Sequence, residues 1–438
     1  MKATALTSGL MMAAALTLSA CGGSSKDDSA AADSYLQFYN AAANTGNTML
    51  SVADTSIGSA TYGDVSSVKG FSADSYTLLV KDVNSSTTLL SKELALTANN
   101  KTLFILTQQE QQYDYLALDV SQAEPAESSF YLQLVNLSAL HDQIDIYVAE
   151  AGNGFAGAQK LDTLSTNEAG TAAVNKAIGQ YHFYLTEAGS DTPFFSTELM
   201  NFSYQNNYVV LVRDKFGPVA GQLALDVVLN SSTATSYDDV DATAQFRLYN
   251  SLSTDVTLAL DNTVQGDVGI GQLSDYVATD KGDYSLSVRD SNDNLLLNSA
   301  LLSLSAGDSK AVLVYQDGQG STEALAITEN SRPQQKSHDV IVANLVADFT
   351  QLQFYFVRQN ETIATAKYHV KNLAFKKQQT LSLPLDYYAI ALVHVAANGS
   401  TTLLDKTDVM QLTPGQHYML LAEQDAAAPS GYKVKLVH

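Results

Sequence analysis

The peptide Tyr35-Leu36-Gln37-Phe38-Tyr39-Asn40, an alternating strand that stops at asparagine, returns three times. It reappears as Tyr131-Leu132-Gln133-Leu134-Val135-Asn136, as Phe246-Arg247-Leu248-Tyr249-Asn250 and as Val340-Ile341-Val342-Ala343-Asn344. The four asparagines stand 96, 114 and 94 positions apart. Recurrence at such a period marks a repeat architecture. Roughly 100 residues is also enough chain for one unit to bury a core of its own.

A second segment, headed by tyrosine, follows each asparagine: Tyr76-Thr77-Leu78-Leu79-Val80, Tyr181-His182-Phe183-Tyr184-Leu185, Tyr284-Ser285-Leu286-Ser287-Val288 and Tyr388-Ala389-Ile390-Ala391-Leu392. The Asn-to-Tyr distances of 36, 45, 34 and 44 keep the order while the loops vary. Near the end of each unit come two more strands joined by a turn. The later strands are Leu103-Phe104-Ile105-Leu106, Val209-Val210-Leu211-Val212, Ala311-Val312-Leu313-Val314 and Tyr418-Met419-Leu420-Leu421. Their turns contain Asn99-Asn100, Asn206-Asn207, Gly307-Asp308 and Pro414-Gly415, residues that accept positive φ or preset a bend. Closing strands recur as well, and Leu116-Ala117-Leu118-Asp119-Val120 is repeated letter for letter at Leu223-Ala224-Leu225-Asp226-Val227.

Period-2 alternation, frequent Val, Leu, Tyr and Thr, and turn formers every 8 to 12 residues or so predict antiparallel sandwiches. The expected fold is all-β, with four tandem immunoglobulin-like antiparallel β-sandwich domains after a signal peptide and flexible tether. The units are placed at 34–124, 129–232, 243–330 and 338–438, separated by polar stretches at Ser121–Ser129, Asn230–Asp241 and Asn330–His338. Set end to end, four domains of about 35 Å would reach roughly 130 Å, the dimension of a stalk or display arm.

The N-terminus predicts export. Lys2 precedes an uncharged run from Ala3 to Leu18, which is signal-peptide anatomy and too short for the ~20 residues of a membrane span. Leu18-Ser19-Ala20-Cys21 resembles the bacterial lipobox, and Cys21 is the single cysteine of the chain. Residues 1–20 are therefore expected to be a lipoprotein signal peptide. Residues 21–33, small and polar, are expected to be an acylated cysteine followed by a tether. Gly22, rather than Asp, follows the cysteine, so the expected location is the outer membrane, on its periplasmic face or at the cell surface.

The repeats resemble a bacterial family known as domain of unknown function 4397, through its strand ending in Asn, a "DhYh" strand, and a small-residue turn before a Tyr-headed strand. The matching residues are Asp145-Ile146-Tyr147-Val148, Tyr62-Gly63-Asp64-Val65 and Gly282-Asp283-Tyr284-Ser285-Leu286; in the fourth unit Pro384-Leu385-Asp386-Tyr387 leads into Tyr388 in place of the expected Gly. The resemblance implies a surface-displayed, immunoglobulin-like sandwich with no assigned activity. It transfers no functional residues.

With 24 basic and 46 acidic residues the formal charge is −22, which disfavours nucleic acid and anionic membrane surfaces as partners. The imbalance is uneven. From His338 onward basic and acidic residues number eight each, and five of the seven histidines lie there: His338, His369, His394, His417 and His438. Within this unit Lys371, Lys376 and Lys377 form the densest basic cluster. They are candidates to meet an anionic glycan or a protein at the tip farthest from the anchor; the structural account, favoured here, is edge-strand lysine opposing sheet aggregation. Tyr387-Tyr388 is the other candidate surface, because adjacent tyrosines on a strand cannot both face inward.

No His-Glu-x-x-His helix, Gly-x-Ser-x-Gly elbow, phosphate-cradling Gly loop or Cys/His metal spacing is present. Asp290-Ser291-Asn292-Asp293-Asn294 lacks the Gly and closing Glu of a calcium loop and reads as a turn. Tyr237-Asp238-Asp239-Val240-Asp241 reads as solvated linker charge. Catalytic residues, metal and cofactors are thus expected to be none. The leading expectation is a non-enzymatic, membrane-anchored surface lipoprotein whose repeats serve as spacer, scaffold or adhesion module. It would be held to the membrane by its N-terminal lipid and meet a protein or glycan at the distal repeat. The alternative is a glycan-active hydrolase or glycan-binding protein with a site between repeats, which requires paired carboxylates in a cleft.

Overall fold

The computed structural model describes residues 33–53 and 55–438. The expected signal peptide, the expected lipobox residues Leu18, Ser19 and Ala20, and the expected acylation site Cys21 lie outside the described residues.

The chain is all-β and forms four tandem sandwiches; among the described residues the sole helical element is the 3-10 turn Phe155–Gly157. In the first sandwich one sheet is built on Ser34–Asn40. That strand is flanked antiparallel by the short strands Asp64–Val65 and Lys69–Phe71, and on its other side by Asn100–Gln109 and then Gln112–Ser121. The second sheet runs Thr55–Ala60, Thr48–Val52, Ser75–Asp82, Thr88–Ala95. The same order recurs three times, ending with Gln378–Pro384, Ser337–Asn344, Met419–Gln424, Tyr432–Val437 packed on Tyr368–Ala374, Gln351–Val357, Tyr387–Val395, Thr401–Lys406. Within each sandwich one pairing departs from the antiparallel rule. The strand ending in Asn runs parallel to the late apolar strand, with Asn40 opposite Leu106, Asn136 opposite Val212, Asn250 opposite Val314 and Asn344 opposite Ala422.

The recurring asparagine has one job in all four copies. Asn40, Asn136, Asn250 and Asn344 are fully buried. Each side-chain oxygen accepts the backbone N–H two residues on, at 2.9, 3.0, 3.0 and 2.9 Å. Each side-chain amide donates to a carbonyl at Ala60, Leu164, Val268 or Leu373. The strand end is thereby tied across the sandwich, and the amides of these four buried asparagines are all paired. The recurring tyrosine is equally uniform: Tyr76, Tyr181, Tyr284 and Tyr388 each donate from the hydroxyl to the carbonyl four residues upstream. This is the geometry of a tyrosine corner, which fixes how the chain enters a strand.

Each sandwich has its own apolar core, around Phe38 and Phe104, Phe130 and Phe183, Phe246 and Val288, and Phe354 and Leu392. Two further clusters join sandwiches. Tyr39, Leu103, Ile105 and Leu118 of the first pack on Val135, Val209, Leu211 and Val228 of the second. Tyr249, Ala311, Leu313 and Ile327 of the third pack on Ala343, Met419, Leu421 and Val437 of the fourth. By register these are the same eight positions. Each pair is thus a four-layer stack, and its two inner sheets are buried on both faces. That explains why the late strands read as unbroken apolar runs rather than as alternation.

The expected end-to-end stalk is therefore corrected. Sandwiches pack face to face in pairs, because the apolar runs need cover on both sides. The pairs also meet each other: Thr45, Tyr62 and Asn84 of the first sandwich share a small cleft with Arg332, Pro333 and Ser382. The stretch expected as a linker, 230–241, is likewise ordered. Thr235–Asp238 forms a strand pairing with Leu223–Val228, and Val240 donates its N–H to the Ser196 carbonyl.

Candidate functional site

The residues singled out in the sequence do not converge. Lys371, on Tyr368–Ala374, carries its ammonium over the Tyr355 ring at 5.8 Å. Lys376 sits in the following turn at a φ of 62° and forms an ion pair with Glu323 of the third sandwich. Lys377 is exposed. Tyr388 is fully buried in the fourth core, whereas Tyr387 stands 52% exposed. Only Tyr387 and the lysines offer surface. The Asp290 turn closes on itself, its carboxylate accepting the amides of Asn292 and Asn294 and the Asn294 side chain; those Asn294 bonds hold its pKa low.

What sequence reasoning missed lies in the seams. In the first pair the Tyr39 hydroxyl donates to Asp226 at 2.5 Å. Arg213 grips the same carboxylate in two contacts, Nε at 2.6 Å and Nη2 at 3.2 Å. Asp226 is fully buried, so the Arg213 fork supplies the counter-charge that the dry seam otherwise lacks. Burial, with Asp226 beside it, keeps the Tyr39 hydroxyl protonated well above its ordinary pKa. Burial pulls against the Arg213 charge, but Asp226 and Tyr39 outweigh it and hold that pKa up. At the edge of the same seam Lys101 is 1% exposed. It donates to the Leu229 carbonyl and the Asn230 side chain, both at 3.1 Å; burial pushes its pKa down to about 8.

In the second pair the Tyr249 hydroxyl meets Glu423 at 2.9 and 3.0 Å, and Ser251 donates to it at 2.6 Å. Lys433 bridges Glu423 and Asp425 at 3.3 and 3.2 Å. The Ala427 amide and Lys433 hold the Asp425 carboxyl below the usual range. Nearby, Arg247 and Glu329 form a buried pair, at 3.0 and 2.5 Å, capped by Ser309 and Tyr276.

The two seams differ at their mouths. In the first pair Tyr62 stacks edge-on against Phe216 with ring centroids 5.3 Å apart, its hydroxyl donates to the Asp214 carbonyl at 2.9 Å, and Arg213 lies over the ring at 5.4 Å. In the second, a cleft of about 410 Å³ opens between Ile270, Tyr315, Glu423, Asp425, Ala426 and Lys433. That volume is within the range of small-ligand sites. A smaller cleft of about 180 Å³ lies between the second and third sandwiches, near His141, Phe194 and Asp239. There burial lifts the Asp239 pKa, and its carboxylate clamps the amides of Ser196 and Asp241. Among the described residues no group of three or more His, Cys, Asp or Glu side chains is placed to hold a metal ion. Among them, too, no helix is long and apolar enough to cross a membrane.

A family model described as "Domain of unknown function (DUF4397)" matches residues 34–147 and 244–355. The matches begin 210 residues apart. Each starts on the first strand of one sandwich and ends in the second strand of the sandwich packed against it. No curated protein matches. Fourteen chains of solved structures match; one, titled "The Bacillus anthracis TIE protein", is 11% identical, covers 91% of this chain and 75% of that one, and has a TM-score of 0.15.

Proposed function

The chain belongs to the family of the domain of unknown function DUF4397, which it carries in tandem, and from that premise we propose a non-enzymatic binding or scaffold body held to the bacterial outer membrane by a lipid on Cys21. The observation that carries the proposal is the pairing of the sandwiches by the Tyr39–Asp226–Arg213 and Tyr249–Glu423–Lys433 seams. Seams that dry fix loop positions relative to one another, and a surface of fixed geometry is what recognition of a protein or glycan requires. The ionisable groups of the seams are spent on this pairing. Asp425, whose charge is held by Lys433 and the Ala427 amide, is the reverse of a general acid, which needs a raised pKa.

The lipid and the location are tested together in cells. Cys21→Ser is expected to move the protein from the membrane fraction to the soluble fraction. Protease treatment of intact cells is expected to remove the fourth sandwich if the body faces outward, and to spare it if it faces the periplasm. Retention of Cys21→Ser in membranes would defeat the anchoring.

A further inference from the structure

Among the described residues, His338 Nε2, His394 Nδ1 and His417 Nδ1 are buried with no hydrogen-bond partner, and all three belong to the fourth sandwich. His338 is fully buried, and its Nδ1 lies 3.1 Å from the Gln416 carbonyl. A carbonyl only accepts, so the proton is on Nδ1 and Nε2 is a bare lone pair in a dry site. His417 is half-buried and stands two residues before the seam residue Met419. His394 lies on the outer sheet, stacked on Phe349 at 4.3 Å. The second sandwich treats its histidines differently. His141 has the Glu187 carboxylate at 2.6 Å and His182 the Thr197 carbonyl at 2.8 Å, and neither keeps a buried nitrogen without a partner. That sandwich also shows what the two places hold when histidine is absent. Counting back from the matching asparagines Asn136 and Asn344, His338 stands where Phe130 does. Counting back from their partners Val212 and Ala422, His417 stands where Asn207 does. Phe130 meets Tyr208 with ring centroids 5.3 Å apart at 75°, and His338 meets Tyr418 at 5.3 Å and 74°. The fourth sandwich thus packs an imidazole as if it were a phenyl ring.

The titratable and charged groups that face the two rings are few. On the fourth sandwich they are Asp339, which also accepts the Asn330 side chain, Tyr418, and His438, whose ring meets Tyr418 at 5.3 Å. Gln378–Pro384, paired with His338 on its other side, carries none. From the third sandwich come Arg247 and Glu329, already committed to each other. Burial pushes both imidazoles below their ordinary pKa. At His338 the Gln416 carbonyl and Asp339 oppose it without cancelling it; at His417 Glu329 and Asp339 oppose it, while Arg247 and His338 reinforce it. We infer that His338 and His417 make the second pair acid-labile: a proton on His338 Nε2 puts an N–H with no acceptor into the fourth core, a charge on His417 adds to Arg247 in the seam, and the fourth sandwich loosens from the third while the first pair stays closed. Loosening exposes the inner sheets at Ala311, Leu313, Met419 and Leu421. Both folded pKa values lie below the unfolded value near 6.5, so below that pH the unfolded state binds more protons. The seam is therefore intact at neutral pH and weakens as pH falls under about 6.5, by up to about tenfold in the closed-to-open ratio per pH unit and per histidine. The inference goes beyond the binding reading above and is independent of the anchor.

The test is hydrogen exchange of the full chain, read by mass spectrometry at about pH 7.5 and about pH 5 and corrected for the pH dependence of intrinsic exchange. Opening at Ala311–Leu313 and Met419–Leu421 is expected to rise at least about tenfold on acidification, and at Leu103–Leu106 and Val209–Val212 by about twofold at most. The double variant His338→Phe/His417→Asn installs the residues of the second sandwich. It is expected to keep the neutral-pH circular dichroism spectrum and to cut the acid response of the second pair at least about fivefold. Should it fail to fold, His417→Asn alone, at a half-buried residue, is expected to cut that response at least about twofold. Three results would overturn the device: equal acid loosening of both pairs, no acid response in the unmodified chain, or an undiminished response in the variant that folds.

Discussion

Arg213 and Glu423 occupy one register position in two seams of the same design, one basic and the other acidic. In both seams a tyrosine hydroxyl reaches a buried acid and a base neutralises that acid, but the strands that supply acid and base are exchanged. In the first pair the base is on the late apolar strand and Asp226 on the closing strand; in the second, Glu423 is on the late strand and Lys433 on the closing one. The physical requirement is a balanced set of charges around a desolvated phenol. Which strand carries which sign is free. The difference has consequences: Asp226 and Arg213 have side chains 0% and 13% exposed, while Lys433 is 31% exposed and shared with Asp425. The first seam is closed and the second drains into a cleft.

The comparison breaks most visibly at Asp226. Asp226→Ala leaves the Tyr39 hydroxyl without an acceptor and the Arg213 cation without its counter-charge, held only by the Asp214 carbonyl and the Ser236 hydroxyl, at a cost of about 3–5 kcal/mol. In denaturant unfolding, with hydrogen exchange as the local probe, loosening is expected first along Leu103–Leu106 and Val209–Val212. A loss below about 1 kcal/mol would mean that water reaches the seam.

Next in size is a pH effect confined to the first seam. Because burial lowers the Lys101 pKa to about 8 in the folded chain, while the unfolded chain retains the ordinary value near 10.4, the unfolded state binds more protons between those two values. Stability from this group therefore rises as pH is raised from about 8 to about 10, by up to about 3 kcal/mol. Lys101→Met is expected to flatten that rise in a pH series of thermal melts. An unchanged slope would show that Lys101 is hydrated. Glu423→Gln should cost less than Asp226→Ala, about 1–2 kcal/mol, because Lys433 keeps Asp425. Equal losses at the two seams would erase the distinction between closed and open.

Much of this was legible in the recurring peptides, and the parts that were not have identifiable causes. The asparagine and tyrosine locks depend on backbone atoms a fixed number of residues away, so they repeat with the sequence. Pairing depends on which face is covered, and its sign was present but unread: the residue before the asparagine is Tyr39, Val135, Tyr249 and Ala343 in turn, a two-unit alternation inside a four-unit repeat. The identical pentapeptides show how local letters mislead. Leu118 and Val120 face the seam, while Leu223 and Leu225, the same peptide in the next sandwich, face their own core. The late-strand partners Leu106 and Val212 pair with Tyr115 and Leu225, so the two copies sit three residues out of register. An odd offset turns every side chain to the other face. In the same way Tyr62–Val65 and Asp145–Val148, alike as motifs, fall on different elements. Cleft residues such as Ile270 and Ala426 had no signal of their own, since their meaning lies in what Tyr62 and Phe216 do at the other mouth.

The smallest predicted effect concerns a residue the sequence did single out. Lys376 bridges to Glu323 across the second seam, with side chains 41% and 34% exposed, and ion pairs that wet are worth about 0.5 kcal/mol or less. Lys376→Ala should therefore leave the unfolding midpoint almost unmoved at physiological salt and shift it measurably only at low ionic strength, where screening no longer masks the attraction. Asp226→Ala, whose charge is sealed from counterions, should cost nearly the same at both salt concentrations. If the two variants responded alike to salt, the buried acid and the surface lysine would share one dielectric environment, and the contrast between a closed and an open seam would have no electrostatic basis.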